Sequence, residues 1–87
     1  MVMVKLGHGQ SVRRDLIESI LRPDGSSMKN LRQEYKERGR LINATFGRKT
    51  LSMILTTTGR LYLTAFQSET LEARVNNSKV HNKDNDF

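Results

Sequence analysis

The amino-acid sequence predicts an α+β protein with a small, mostly antiparallel sheet and two short helices. Three patterns indicate this class: alternating apolar residues near the amino terminus, apolar residues at helical spacing in the middle, and two β-prone segments joined by a linker that contains glycine. The 87 residues suffice for one domain. We place that domain at residues 1–75 and a polar tail, expected to be disordered, at residues 76–87.

Alternating apolar residues predict the first strand. Val2, Val4 and Leu6 lie on one side of an extended chain, because the side chains of a strand point alternately to its two faces. The segment that follows, residues 11–22, is ambiguous by pattern alone. Its apolar residues, at positions 16, 17, 20 and 21, have helical spacing, so the pattern by itself favours a helix that stops before the single proline.

Residues 27–38 carry the clearest helical pattern. Met28, Leu31 and Tyr35 lie at i, i+3 and i+7 and therefore share one face. Either of the two serines before Met28 is expected to cap the helix, and Gly39 suits the left-handed position that ends many helices.

The remaining elements follow from β-prone segments. A strand is expected over residues 40–46, and residues 51–56 and 61–66 are expected to form a hairpin across a short linker that contains glycine. Ser68 is placed to cap a last short helix.

The charge indicates a polyanionic partner. Lys and Arg number 15 against 9 Asp and Glu, which gives a net charge of +6. Nucleic acid is the first candidate and an anionic membrane surface the second, although a basic surface that serves solubility alone also fits. Residues 29–49 contain seven of the cations and only two carboxylates.

Little in the sequence points to catalysis or metal binding. There is no cysteine, which excludes disulfides and thiolate sites and is consistent with a reducing cytoplasm. The two histidines, His8 and His81, lack the spacing of metal ligands. No apolar run approaches the roughly 20 residues that span a bilayer. We predict a cytoplasmic, non-enzymatic protein with no metal, cofactor, membrane partner or small-molecule substrate.

Two pairs of adjacent cations are candidates for a binding role. Arg48 and Lys49 follow a glycine between two predicted strands, and cations on a tight loop project from the core and can bind phosphates. Arg13 and Arg14 form a second pair just after the first glycine turn. The cations of the central helix are more simply interpreted as its solvated face.

One long segment resembles a known family. Residues 38–50, Arg-Gly-Arg-Leu-Ile-Asn-Ala-Thr-Phe-Gly-Arg-Lys-Thr, are similar to the RG-x-LIDATYGRRT signature of the RemA family of bacterial extracellular-matrix gene regulators. Residues 7–9, 23–29 and 67–70 also resemble motifs of that family, and the likeness covers about residues 4–75.

This resemblance implies a function and a fold. It implies a bacterial transcription regulator that binds double-stranded DNA as a ring-shaped homo-oligomer, with a fold related to LytTR-type DNA-binding domains. It implies that residues 16–21 form a strand and not a helix. It also implies that Arg48 and Lys49 are the DNA-contacting pair.

Several positions depart from the family signature. A family arginine aligns with Leu16, and Arg13 or Arg14 is the candidate to replace it. The signature aspartate and tyrosine are Asn43 and Phe46 here. A lysine in place of the second arginine of the pair keeps the charge but loses the planar guanidinium. We therefore do not assign the family's DNA target to this chain.

Two other classes of function stay open. An RNA-binding or ribosome-associated module would need exposed aromatic residues on which bases can stack. Tyr35, Phe46, Tyr62 and Phe66 are expected mostly at core positions, which favours duplex DNA over single-stranded RNA. A purely oligomeric scaffold without a nucleic-acid role is the third possibility.

Overall fold

The structure, a computed structural model, describes residues 2–7 and 9–80, with the backbone alone for residues 77–80. Its elements, in chain order, are β1 (Met3–Gly7), β2 (Gln10–Arg13), β3 (Ile17–Leu21), α1 (Ser26–Glu37), β4 (Leu41–Asn43), β5 (Ser52–Thr56), β6 (Leu61–Thr64) and α2 (Ser68–Val80). A 3-10 turn, Arg14–Leu16, separates β2 from β3. The predicted α+β class, with two helices and mostly antiparallel pairing, is confirmed.

A four-stranded sheet in the order β3-β5-β6-β4 forms the centre of the fold. Strand β5 pairs antiparallel with β3 and β6, whereas the edge strand β4 runs parallel to β6. The β5–β6 pair is the hairpin that the sequence predicts. Strands β1 and β2 form a separate antiparallel hairpin.

Apolar side chains cover both faces of this sheet. On one face, Met53, Leu61 and Leu63 are buried against the apolar side of α1. On the other face, Ile54 and Leu71 belong to a cluster that also includes apolar residues of the β1–β2 hairpin. The fold therefore has three layers, with α1 on one side of the sheet and the hairpin and α2 on the other.

Helix α1 agrees with the predicted helix, but its amino-terminal cap does not. The N-cap residue is Gly25, at φ 93°, and no side chain makes a capping hydrogen bond, so the expected serine cap is wrong. Gly39 has φ 71°, and its amide donates to the carbonyl of Lys36 at 3.0 Å. Its role at the carboxyl end is confirmed.

Residues 17–21 form strand β3. The helix that apolar spacing favoured for this segment is therefore wrong, and the strand that the family resemblance implied is confirmed. Ile20 pairs with Ile54 and Leu21 with Met53, on the central strand β5. Pairing with a buried strand outweighs a local pattern, because strand formation depends mainly on packing against neighbouring strands.

The strand predicted over residues 40–46 is much shorter in the structure. Only Leu41–Asn43 pair with β6, and the chain then turns away from the sheet. Phe46, expected at a core position, is 70% exposed. Both differences arise because a hydrogen bond between the backbones of Thr45 and Arg48 closes a tight turn there.

The domain boundary at residue 75 stays a prediction. Helix α2 continues to Val80, while residues 81–87, including His81, and also His8 lie outside the described residues. Neither helix in the described part of the chain is long and apolar enough to cross a membrane.

Candidate nucleic-acid interface

The connection between β4 and β5, residues 44–51, is a loop attached firmly at both ends. We call it the basic loop. The amide of Ala44 donates to the carbonyl of Leu63 at 2.8 Å, and the amide of Leu51 donates to the carbonyl of Thr64 at 2.9 Å. Both carbonyls belong to β6, which lies between β4 and β5, so the two ends of the loop are held on either side of the end of β6.

Asn43 fixes the first half of the basic loop. Its Oδ1 accepts hydrogen bonds from the amide of Thr45 at 2.9 Å and from the Oγ1 of Thr45 at 2.6 Å. Thr45 is 2% exposed, so water cannot readily replace that acceptor. A single side-chain oxygen therefore orders the start of the loop.

Replacing Asn43 tests this arrangement. Asn43→Ala is expected to lower the free energy of unfolding by about 1–3 kcal/mol, because the buried donors of Thr45 lose their acceptor. Asn43→Asp is the matched control, since a carboxylate oxygen can accept both hydrogen bonds. Urea denaturation of the three proteins provides the measurement. An alanine variant as stable as the wild type would show that Asn43 does not order the loop.

A tight turn forms the tip of the basic loop. The amide of Arg48 donates to the carbonyl of Thr45 at 3.1 Å. Between them, Phe46 and Gly47 have φ values of 57° and 83°. Positive φ at both central residues is the feature of a type I′ turn. This turn takes Phe46 out of the sheet and leads the chain directly into the two predicted contact residues.

Arg48 and Lys49 are both exposed at the end of this turn. Neither forms an ion pair with a carboxylate of the described residues. Their charges are therefore not balanced by a local salt bridge. The structure thus exposes both cations on a loop whose ends and tip are held by backbone hydrogen bonds.

The other predicted pair lies at the opposite end of strand β5. The amide of Thr57, just after β5, donates to the carbonyl of Leu16 at 2.8 Å. The 3-10 turn that contains Arg14 is therefore beside the end of β5 that is remote from the basic loop. Within one copy of the chain, Arg13 and Arg14 do not join Arg48 and Lys49 in a single patch.

Arg13 also has a carboxylate partner. Its guanidinium binds Asp15 in a bidentate manner, with Nε–Oδ1 and Nη2–Oδ2 distances of 3.1 and 2.7 Å. These hydrogen bonds hold the pKa of Asp15 below its ordinary value. Asp15 is therefore charged at neutral pH and balances the charge of Arg13. Arg14 is partly buried, and its Nε is buried without a hydrogen-bond partner among the described residues.

A second basic feature is a groove between α1 and the edge of the sheet, which we call the α1 groove. Lys29, Arg32 and Lys36 line one side of it, and Leu41 and Asn43 lie among the residues opposite. Its volume is about 430 Å³. Sequence reasoning treated these cations as a solvated face, because their spacing alone does not show which strand lies beside the helix.

No carboxylate lines the α1 groove within the described residues. The two glutamates of α1 have other partners: Glu34 forms the i,i+4 ion pair with Arg38 at 2.7 Å, and Glu37 accepts a hydrogen bond from Gln33 at 3.0 Å. The groove is therefore positively charged, and the chain reversal between α1 and β4 turns its Lys29 end towards the basic loop.

A depression on the other side of the basic loop has balanced charges. It has a volume of about 350 Å³, and its walls include Lys49 and Arg22 but also Asp24 and Glu69. Arg22 and Glu69 form an ion pair at 3.1 Å. Because Asp24 and Glu69 offset Lys49 and Arg22 in this depression, the excess positive charge at this end of the molecule comes from Arg48 and the α1 groove.

Comparison with known proteins identifies the family. The family model described as "Extracellular matrix regulatory protein A-like" matches residues 3–75. The chain belongs to the RemA-like family. This confirms the resemblance drawn from the central signature, and the match includes the whole sheet, α1 and the basic loop.

Relatives agree with the RemA-like assignment over most of their length. A protein of Pseudothermotoga lettingae is 32% identical over 95% of this chain and 91% of its own. One of Fervidobacterium nodosum is 36% identical over 90% and 84%, and one of Nitratidesulfovibrio vulgaris is 43% identical over 83% and 84%. All three are named "Putative regulatory protein". These names support a regulatory role over an enzymatic one.

Proposed function

We propose that this chain is a non-enzymatic transcription regulator that binds double-stranded DNA through the basic loop. One observation carries the proposal: Arg48 and Lys49 are exposed, adjacent and without a carboxylate partner among the described residues, on a loop anchored at both ends. A loop whose backbone is held in place before binding loses less conformational freedom on contact with phosphates. Membership of a regulatory family supports the same function.

The two cations have different roles in this proposal. Arg48 offers a planar guanidinium that can bind a phosphate, or the edge of a guanine in the major groove, through two hydrogen bonds. Lys49 offers a compact point charge, which suits phosphate attraction. Phosphate contacts position the protein, whereas contacts with base edges select the sequence.

A homo-oligomer would supply the number of contacts that DNA binding requires. One copy has one basic loop, and affinity depends on how many phosphates are neutralised. We propose that a ring of identical copies, with a LytTR-like fold for each, repeats the loop, so that linked weak contacts gain from their high effective concentration. The spacing of the loops would then favour DNA that bends to meet them. An isolated monomer that binds DNA as tightly as the assembled form would contradict this mechanism.

The α1 groove is expected to assist binding from a distance. The double variant Lys29→Gln/Lys36→Gln should slow association with duplex DNA several-fold at low salt, because it weakens the field that steers the encounter. The effect should fade at about 0.15 M salt, where charges are screened over about 8 Å. Stopped-flow fluorescence at two salt concentrations measures it. Faster dissociation of the double variant, in addition to slower association, would assign direct phosphate contacts to the groove.

An RNA-binding module remains the alternative function, and one finding favours it. Phe46 is exposed, although an RNA-stacking aromatic was not expected from the sequence. Direct competition between a labelled DNA duplex and unlabelled single-stranded RNA separates the two functions. We expect RNA to displace the duplex only in large excess. Displacement at equal nucleotide concentration would favour RNA. No salt-dependent binding to either nucleic acid would favour a scaffold.

A further inference from the structure

Two features of Phe46, its backbone conformation and its exposed ring, are each unfavourable for the stability of the fold. Its backbone φ of 57° lies in the left-handed region, which is uncommon for residues other than glycine and unfavourable for bulky ones. Its side chain is 70% exposed, whereas Val2, Met3 and Leu51 are 36–47% exposed. A large apolar ring in contact with water forgoes the stabilisation that burial would give. Strained residues of this kind cluster at functional sites.

The turn itself does not require an aromatic residue. Its closing hydrogen bond joins the backbones of Thr45 and Arg48, and a residue of any type at position 46 retains it. Glycine would adopt the positive φ without strain, as Gly47 does at 83°. The turn therefore does not explain why position 46 carries an exposed aromatic ring.

The neighbours of Phe46 indicate what covers its ring in a complex. Arg48 and Lys49 follow within three positions of the same loop. Two adjacent positive charges beside the ring complement the phosphates of a nucleic acid, and lysine is depleted in protein–protein interfaces, so the pair favours DNA over a protein partner. Duplex DNA presents both required features, because phosphates flank the grooves and apolar side chains can pack against base steps or thymine methyl groups.

We propose that Phe46 is a DNA contact residue that packs against the bases while Arg48 and Lys49 bind the flanking phosphates. This inference rests on the proposed function and adds a non-electrostatic contact to it. Because insertion beside a base step partly unstacks it, binding should favour sites with a flexible pyrimidine–purine step under the loop. The strain at Phe46 is then the consequence of placing an aromatic ring at the tip of a tight turn.

Three variants test the proposal by comparing stability with affinity. Phe46→Gly relieves the backbone strain and removes the ring, Phe46→Asn removes the ring but tolerates positive φ, and Phe46→Tyr keeps an aromatic ring. We expect the glycine variant to be at least as stable as the wild type in urea, yet to bind duplex DNA at least about 10-fold more weakly, as when an aromatic ring that packs on a base is removed. The asparagine variant should also bind weakly, and the tyrosine variant should bind nearly as the wild type does.

The salt dependence and the oligomeric state complete the experiment. Because Phe46 is uncharged, the slope of log affinity against log salt should stay at its wild-type value in the glycine variant. Unchanged affinity of the glycine variant, with a wild type that binds DNA, would overturn this inference alone. A changed oligomeric state in analytical ultracentrifugation would overturn it in favour of a subunit interface. Failure of the wild type to bind the duplex would instead overturn the proposed function.

Discussion

Replacing Arg48 and Lys49 together by alanine is expected to lower the affinity for duplex DNA by about 100-fold or more. Two charge-assisted hydrogen bonds, at about 1.5 kcal/mol each, give about 3 kcal/mol for a single loop, and each 1.4 kcal/mol is a factor of 10. The effect multiplies when several loops bind one duplex. Both side chains are exposed and form no salt bridge with the described residues, so the free energy of unfolding should be unchanged.

A matched control separates position from charge. Arg40 and Arg60 are also exposed, but they immediately precede β4 and β6, at the end of the sheet remote from the basic loop. The double variant Arg40→Ala/Arg60→Ala removes the same total charge. We expect fluorescence anisotropy to show only a small decrease in DNA affinity for it. Equal decreases for both double variants would mean that net charge, and not the basic loop, binds the DNA.

The second large effect is expected on stability. Leu71→Ala should lower the free energy of unfolding by about 2–5 kcal/mol, the range for truncation of a buried leucine. Leu71 is fully buried and holds α2 against the sheet and the β1–β2 hairpin, in the same cluster as Val4 and Leu6. Such a decrease is a large part of the stability of a small domain, typically about 5–15 kcal/mol in total.

Leu51→Ala is the control for this truncation. Leu51 is 36% exposed, so the same change of side chain should cost much less there. Urea denaturation monitored by circular dichroism compares the two variants with the wild type. If Leu71→Ala were no more destabilising than Leu51→Ala, α2 would not be packed against the sheet as the structure has it.

The local sequence pattern was sufficient to predict some elements of the fold but not others. Helix α1 was predictable because Met28, Leu31 and Tyr35 share one face, and all three pack against the buried cluster of β5 and β6. Strand β3 was not predictable from its own residues. Its conformation depends on pairing with β5, which lies more than 30 residues later in the chain, and only the family resemblance indicated it.

The candidate site shows the same division. The loop position of Arg48 and Lys49 was predictable, because they follow a glycine between two β-prone segments. The exposure of Phe46 was not predictable, because its β-prone side chain suggested a strand. Its positive φ arises from a turn that is closed by the hydrogen bond between the backbones of Thr45 and Arg48. The α1 groove could not be foreseen either, because it exists only where the edge strand β4 lies beside α1.

The most direct test of DNA binding through the basic loop is the salt dependence of duplex binding by the full chain. Fluorescence anisotropy with a labelled duplex, across a salt series, compares the wild type with Arg48→Ala/Lys49→Ala. We predict that log affinity falls linearly with log salt for the wild type. The double variant should bind more weakly and have a shallower slope, by about 0.9 for each phosphate that is no longer neutralised. A wild type that does not bind the duplex at low salt, or a double variant with an unchanged slope, would contradict binding through this loop.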